Sequence, residues 1–253
     1  MVPFFAKIVF YQIIIVLFQL YGQTIFVPIA CHADQFIDNT EKKIIVLDPG
    51  HGGKDNGAKG DDGTLEKNIT LSLTKMIARN LQNQYNIRLT RNDDRDIPLA
   101  DRTALANHLK ADLFISIHMG GAFEPDATGS SIMYYAPLEE KFSTMASKVP
   151  EISAKQDTPP EEWKHLQLDH VTDSRKIAEQ LGYALRNNPN AIHPTAEGSH
   201  LFVLCGATMP ALLIEPFYLT HPDSERHYQD GMNLEQLAND LSAGIMAALE
   251  KEN

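Results

Sequence analysis

Apolar positions along this chain fall into short, nearly unbroken runs, separated by segments in which they recur every three or four residues. The runs Lys43–Leu47, Asn86–Thr90, Leu113–His118, Ser130–Ala136 and Pro210–Phe217 are rich in Ile, Leu, Val, Phe or Tyr and read as strands. A shorter apolar run, Leu201–Leu204, is added to them. Helical spacing marks Leu65–Gln84, Leu99–Leu109, Asp173–Asn187 and Leu234–Lys251. In the last of these, Leu234, Leu237, Leu241, Ile245 and Leu249 build one apolar stripe, which suits a helix lying over a sheet face. Strands apolar on both sides, alternating with amphipathic helices, predict an α/β fold of three layers: a mostly parallel twisted sheet with helices on both faces.

Two stretches break this pattern. Residues 138–169 have weak periodicity and contain Pro150, Pro159 and Pro160, so they read as an inserted loop or regulatory segment expected to border the active site. Residues 1–33 differ in kind: Lys7 precedes an apolar stretch from Ile8 to Ala30, the layout of an export signal. Cleavage after Ala33, retention as a membrane anchor and lipidation at Cys31 are the three readings of its fate. Residues 34–42 read as a polar linker and 43–253 as a single catalytic domain, with no separate repeat or binding module expected after it. The expectation is therefore an exported protein, periplasmic or extracellular, acting as a monomer.

Composition changes this picture little. With 43% hydrophobic residues in a chain of 253, one substantial core can be buried. Two cysteines, Cys31 and Cys205, make no disulfide framework. The formal charge of −11 and the lack of any lysine or arginine cluster exclude a protein that tracks phosphates, so no nucleic-acid partner is expected.

The chemistry lies where the regular elements begin and end. His51 sits in the turn that stops the first strand (IIVLDPGHGG), Glu66 opens the first helix (GTLEKN), and His118 closes a strand (LFISIHMG). In parallel sheets such strand ends converge on one crevice. Two imidazoles and a carboxylate meet the three-ligand requirement of a catalytic zinc, Zn2+, which keeps a fourth position for water. Glu215 lies in the apolar run ALLIEPFYL, where an unpaired carboxylate is costly to bury. Burial there raises a carboxyl pKa toward the working range of a general base. Asp48 reads either as an acceptor that orients a ligand imidazole or as a cap of the Pro49-Gly50 turn. Arg91, Arg102 and Asn107 read as structural pairing or capping residues, and among the remaining histidines His200 is the one whose distance from the cleft matters.

Taken in order, the motifs IVLDPGHGG, LEKN, LTRNDDRDIPLADRTALANHLKADLFISIHMG and MPALLIEPFYLTHPDSE resemble those of zinc-dependent N-acetylmuramoyl-L-alanine amidases of the amidase-3 type. The resemblance runs from Lys43 to Leu249. It implies zinc ligation by His51, Glu66 and His118, catalysis by Glu215, and hydrolysis of the amide bond joining N-acetylmuramic acid to the L-alanine of the peptidoglycan stem peptide. Two departures, Met119-Gly120 in place of small and amide residues and Pro216 in place of glycine, point to a changed cleft wall. In some amidases of this type an inserted helix places a glutamate on the zinc until a protein activator removes it. Residues 138–169, with Glu139, Glu140, Glu151, Glu161 and Glu162, are the candidate for such a plug. The competing readings are a catalytically weak peptidoglycan-binding protein and a zinc peptidase or deacetylase with another scissile bond.

Overall fold

The computed structural model describes residues 42–122, 127–137, 161–188 and 191–250, with residues 161–165 described by their backbone alone. Six strands form one sheet: β1 (Ile44–Pro49), β2 (Asn86–Leu89), β3 (Leu113–Ile117), β4 (Ser131–Tyr135), β5 (Thr195–Ser199) and β6 (Ala211–Glu215), in the order β2-β1-β3-β6-β4-β5. The first four positions of the sheet, β2, β1, β3 and β6, run parallel. β4 pairs antiparallel to β6 and parallel to β5, so β4 and β5 run against the rest. The helices are α1 (Glu66–Leu81), α2 (Leu99–His108), α3 (Val171–Arg186), α4 (Phe202–Cys205), α5 (Pro222–Gln229) and α6 (Gly231–Glu250), and a 3-10 helix covers Glu161–His170.

Alternation along each strand divides the core in two, as the period-2 geometry of a strand requires. Ile45, Leu47, Leu113, Ile115, Ile117, Leu212 and Ile214 pack on one face with α1, α3 and α6. Val46, Phe114, Ala211 and Leu213 pack on the other with α2, α4 and the loop through Met209. The expected three layers are present. All five residues of the α6 stripe are buried, and α6 packs across α1 and α3.

Three elements differ from the pattern reading. Leu201–Leu204, read as a strand, is mostly the helix α4, because a four-residue apolar run carries no usable period. β5 (TAEGS) is a polar edge strand with no apolar run, so nothing marked it. α5 (PDSERHYQ) is too polar to show a stripe, although Pro222 at its first turn and the acidic residues there were a helix-start signal. The strand β6 ends at Glu215 rather than Phe217, since Pro216 has no N–H to continue the ladder.

The candidate export segment, residues 1–33, and most of the insertion, residues 138–160, lie outside the described residues. The described residue before the insertion, Pro137, and its described last part, residues 161–169, lie away from the carboxyl ends of β1, β3 and β6. Pro137 follows β4, whose last residues lie beside the start of β6. The buried Gln167 of the 3-10 helix donates to the carbonyls of Ala207 and Met209 at 3.0 and 2.8 Å, also just before β6. Both therefore sit at the edge of the sheet opposite the carboxyl ends of β1, β3 and β6.

Candidate active site and metal centre

Three chain segments meet at those carboxyl ends. The turn after β1 presents His51, β3 is followed at once by His118, and α1 begins with Glu66. One ligand atom from each of these side chains lies within 4.8 Å of the other two, the one such His/Glu group among the described residues. Both rings point at the same carboxylate oxygen: His51 Nε2 is 3.0 Å and His118 Nδ1 3.1 Å from Glu66 Oε1. Donors bound at about 2.0–2.1 Å in a tetrahedron stand roughly 3.3 Å apart, so the two separations from Glu66 Oε1 already lie close to the edges of such a figure.

Each ligand is held from behind. Asp55 Oδ2 lies 2.7 Å from His51 Nδ1, which makes Nδ1 the donor and leaves Nε2 for an ion. Glu66 Oε2 accepts the Ala58 N–H at 2.7 Å and Oε1 the Met119 N–H at 2.9 Å, and its place in the first turn of α1 adds the favourable helix dipole. A Cβ on Gly50 would stand 2.5 Å from the His118 ring, and one on Gly57 would stand 2.5 Å from Glu66 Oε2 and 2.6 Å from His51. Gly57 also has φ +64°, which favours glycine. Two imidazoles, one anchored carboxylate and a cradle with no room for a methyl group fit a divalent ion of the zinc type.

Electrostatics agree with this geometry. Burial pushes the Glu66 carboxyl up, but its hydrogen bonds to His118 and His51 outweigh this and hold it well below the usual carboxylate range. Burial pushes His51 down, yet Glu66 and Asp55 on its two nitrogens raise it overall.

Glu215 ends β6, the neighbour of β3, one position beyond the Ile117–Ile214 pair. This puts its carboxylate beside His118. Burial raises its pKa, Glu66 and Glu197 add to the effect, and His118 opposes it. Unlike Glu66 it meets no hydrogen-bond donor among the described residues, which leaves its oxygens available for a proton. The structure thus brings together all four residues singled out from sequence.

Other expectations need correction. Asp48 neither orients a ligand imidazole nor caps the turn: it is fully buried on the second face and accepts from Thr90 Oγ1, Ser116 Oγ at 2.7 Å and Arg102 Nη1 at 2.9 Å. His200 follows β5 and contacts the rings of Tyr135 and Phe202, at the far edge of the sheet, because β4 and β5 run backwards. Met119 does not line the cleft, since its side chain is buried in the core and only its amide serves the site. Gly120 lies so close to Tyr218 that a Cβ would meet the ring at 2.9 Å. Asn107 is structural as expected, bonding Gly206 and Thr208. Cys205 is buried beside Tyr135.

Two residues escaped the sequence reading. Asp55 lies four positions after His51 in a loop that carries no periodic signal. Glu225 of α5 is 1% exposed and accepts from the Asp62 and Thr64 amides at 2.9 and 3.0 Å, tying the loop before Glu66 to the helix that follows the Glu215 strand.

Comparison with known proteins places this arrangement. Residues 45–247 match the family model described as N-acetylmuramoyl-L-alanine amidase. N-acetylmuramoyl-L-alanine amidase AmiA of Escherichia coli K12 is 31% identical over 219 residues, covering 81% of this chain and 76% of that protein. Among solved structures, the amidase AmiC2 of Nostoc punctiforme superposes with a TM-score of 0.64 at 27% identity, over 83% of this chain and 98% of that one. An N-acetylmuramoyl-L-alanine amidase from Clostridium difficile 630 gives a TM-score of 0.65 at 25% identity, over 85% of this chain and all of that one (100%).

Proposed function

This chain belongs to the amidase-3 family of N-acetylmuramoyl-L-alanine amidases, and from that membership we propose that it is a zinc enzyme in which His51, Glu66 and His118 hold the ion and Glu215 is the general base. It is a peptidoglycan amidase: it hydrolyses the amide between the lactyl group of N-acetylmuramic acid and the L-alanine of the stem peptide. The observation that carries the zinc reading is the convergence of His51 Nε2 and His118 Nδ1 on one oxygen of an anchored Glu66.

When bound, the ion supplies Lewis acidity, lowering the pKa of its water to about 7 and polarising the scissile carbonyl. The chain's own residues do the rest. Asp55 keeps His51 in the tautomer that leaves Nε2 free. The Ala58 and Met119 amides fix the Glu66 carboxylate. Glu215, made more basic by its burial, accepts the proton of the attacking water and returns it to the departing L-alanine nitrogen as the C–N bond breaks. The products are a lactyl carboxylate and a peptide with a free amino terminus.

The substrate lies outside the cytoplasmic membrane, which favours export through residues 1–33. Among the described residues no helix is long and apolar enough to cross a membrane. Residues 138–169 are proposed to control the site until a protein activator intervenes.

A defined disaccharide-peptide tests the assignment of bond and base together. The wild-type protein should generate a new amine on L-alanine, detected by amine labelling and mass, and Glu215→Ala should not. A new amine on glucosamine would identify a deacetylase, and one inside the stem peptide a peptidase.

A further inference from the structure

The turn that carries His51 is gripped by two buried arginines. Arg91 is 0% and Arg102 3% exposed, and guanidinium groups are rarely placed so deep without a reason. Arg91 donates from Nε to the Pro49 carbonyl at 2.9 Å and from Nη2 to the Gly50 carbonyl at 2.8 Å. Arg102 donates from Nη1 to the Pro49 carbonyl at 3.0 Å and from Nη2 to the His51 carbonyl at 3.0 Å. Three successive carbonyls are thus fixed by two planar forks. Asp48 pairs with Arg102 at 2.9 Å, whereas no ion pair of Arg91 is found among the described residues and its charge is met by carbonyls and Thr70 Oγ1.

The same turn is strained. His51 has φ +60°, a left-handed conformation that is unfavourable for a non-glycine residue and persists only when its surroundings over-determine it. Its side chain must point at Glu66 while its backbone turns away from β1. Thr70 completes the grip by donating from Oγ1 to the Gly50 carbonyl at 2.9 Å, and through α1 it belongs to the element that presents Glu66.

We propose that Arg91 and Arg102 are positioning residues of the metal centre, clamping the Pro49–His51 carbonyls so that His51 is held in its strained turn with Nε2 aimed at the ion. This rests on the zinc reading above. A lysine supplies a point charge but not the fork that bonds two carbonyls at once, so Arg→Lys keeps the charge and loses the grip. The clamp acts on ligand geometry and therefore on metal affinity, before any substrate is present.

The test uses the purified full chain stripped of metal. Zinc affinity is measured by chelator competition, ligand geometry by the visible absorption of the cobalt(II) form, and folding by circular dichroism. The wild type should take up one zinc; failure to do so would sink the zinc reading itself and not the clamp alone. Arg91→Lys and Arg102→Lys should remain folded but bind zinc about ten- to a hundredfold more weakly, the range typical for loss of a supporting partner, with an altered cobalt spectrum. Wild-type affinity and spectrum in both folded variants would overturn the clamp. Should neither variant fold, the near-isosteric Thr70→Val decides: a loss of about tenfold in zinc affinity supports the clamp, and unchanged affinity overturns it.

Discussion

Glu215 and Glu66 show how placement decides what a carboxylate does. Glu66 is buried and Glu215 half-buried in the same crevice, yet Glu66 is surrounded by donors and held low, while Glu215 has desolvation and two like charges against it and is held high. A raised carboxyl pKa in the folded state means that the ionised form opposes folding. The penalty is present in full above the raised value and is relieved as the pH falls through it. Glu215→Gln should therefore abolish most activity, by about 10²–10⁴-fold, and yet raise the Tm of the metal-free protein at neutral pH. Each kcal/mol of relief would appear as about 2–4 °C, and the gain should shrink as the pH is lowered. A variant as inactive as expected but less stable at neutral pH would contradict this placement. His51, Glu66, His118 and Glu215 were all legible in the sequence because each interrupts an element boundary or an apolar run. Asp55 and Glu225 were not, since both act through loop backbone that only the fold brings near.

At the scale of elements, period and length decided what could be read. α6 was legible because five leucine and isoleucine side chains repeat at helical spacing, and all five are buried. α4, β5 and α5 are too short or too polar to carry a period, and tertiary context sets them. α6 supplies none of the site residues, so it can be weakened without touching chemistry. Leu241 is fully buried between α6 and the sheet; Leu241→Ala should cost about 2–5 kcal/mol in denaturant unfolding, with zinc affinity and activity per folded molecule unchanged. Activity lost out of proportion to stability would mean that α6 does more than cover the sheet.

For the whole molecule, the parallel strands explain why the site exists where it does. β1, β3 and β6 lie side by side and all end at one edge, so three residues far apart in the chain meet without any long connection. The three-layer class was legible from composition of the strands, but the reversal of β4 and β5 was not, because strand direction leaves no mark on an apolar run. That reversal is what carries His200 and Pro137, the described residue before the 138–169 segment, away from the site. Since the ion would tie the β1 turn, α1 and the end of β3 together, zinc at a thousandfold excess over its Kd should stabilise the fold by about 4.1 kcal/mol, read as a rise in Tm that chelator reverses. The decisive measurement is a digest of purified peptidoglycan with the metal-loaded protein, the chelated protein and Glu215→Ala, with the released products identified by mass. Stem peptides beginning with a free L-alanine amine, with intact glycan strands, are expected from the metal-loaded protein alone. Release that persists after chelation or in Glu215→Ala, or products cut at any other bond, would contradict this reading.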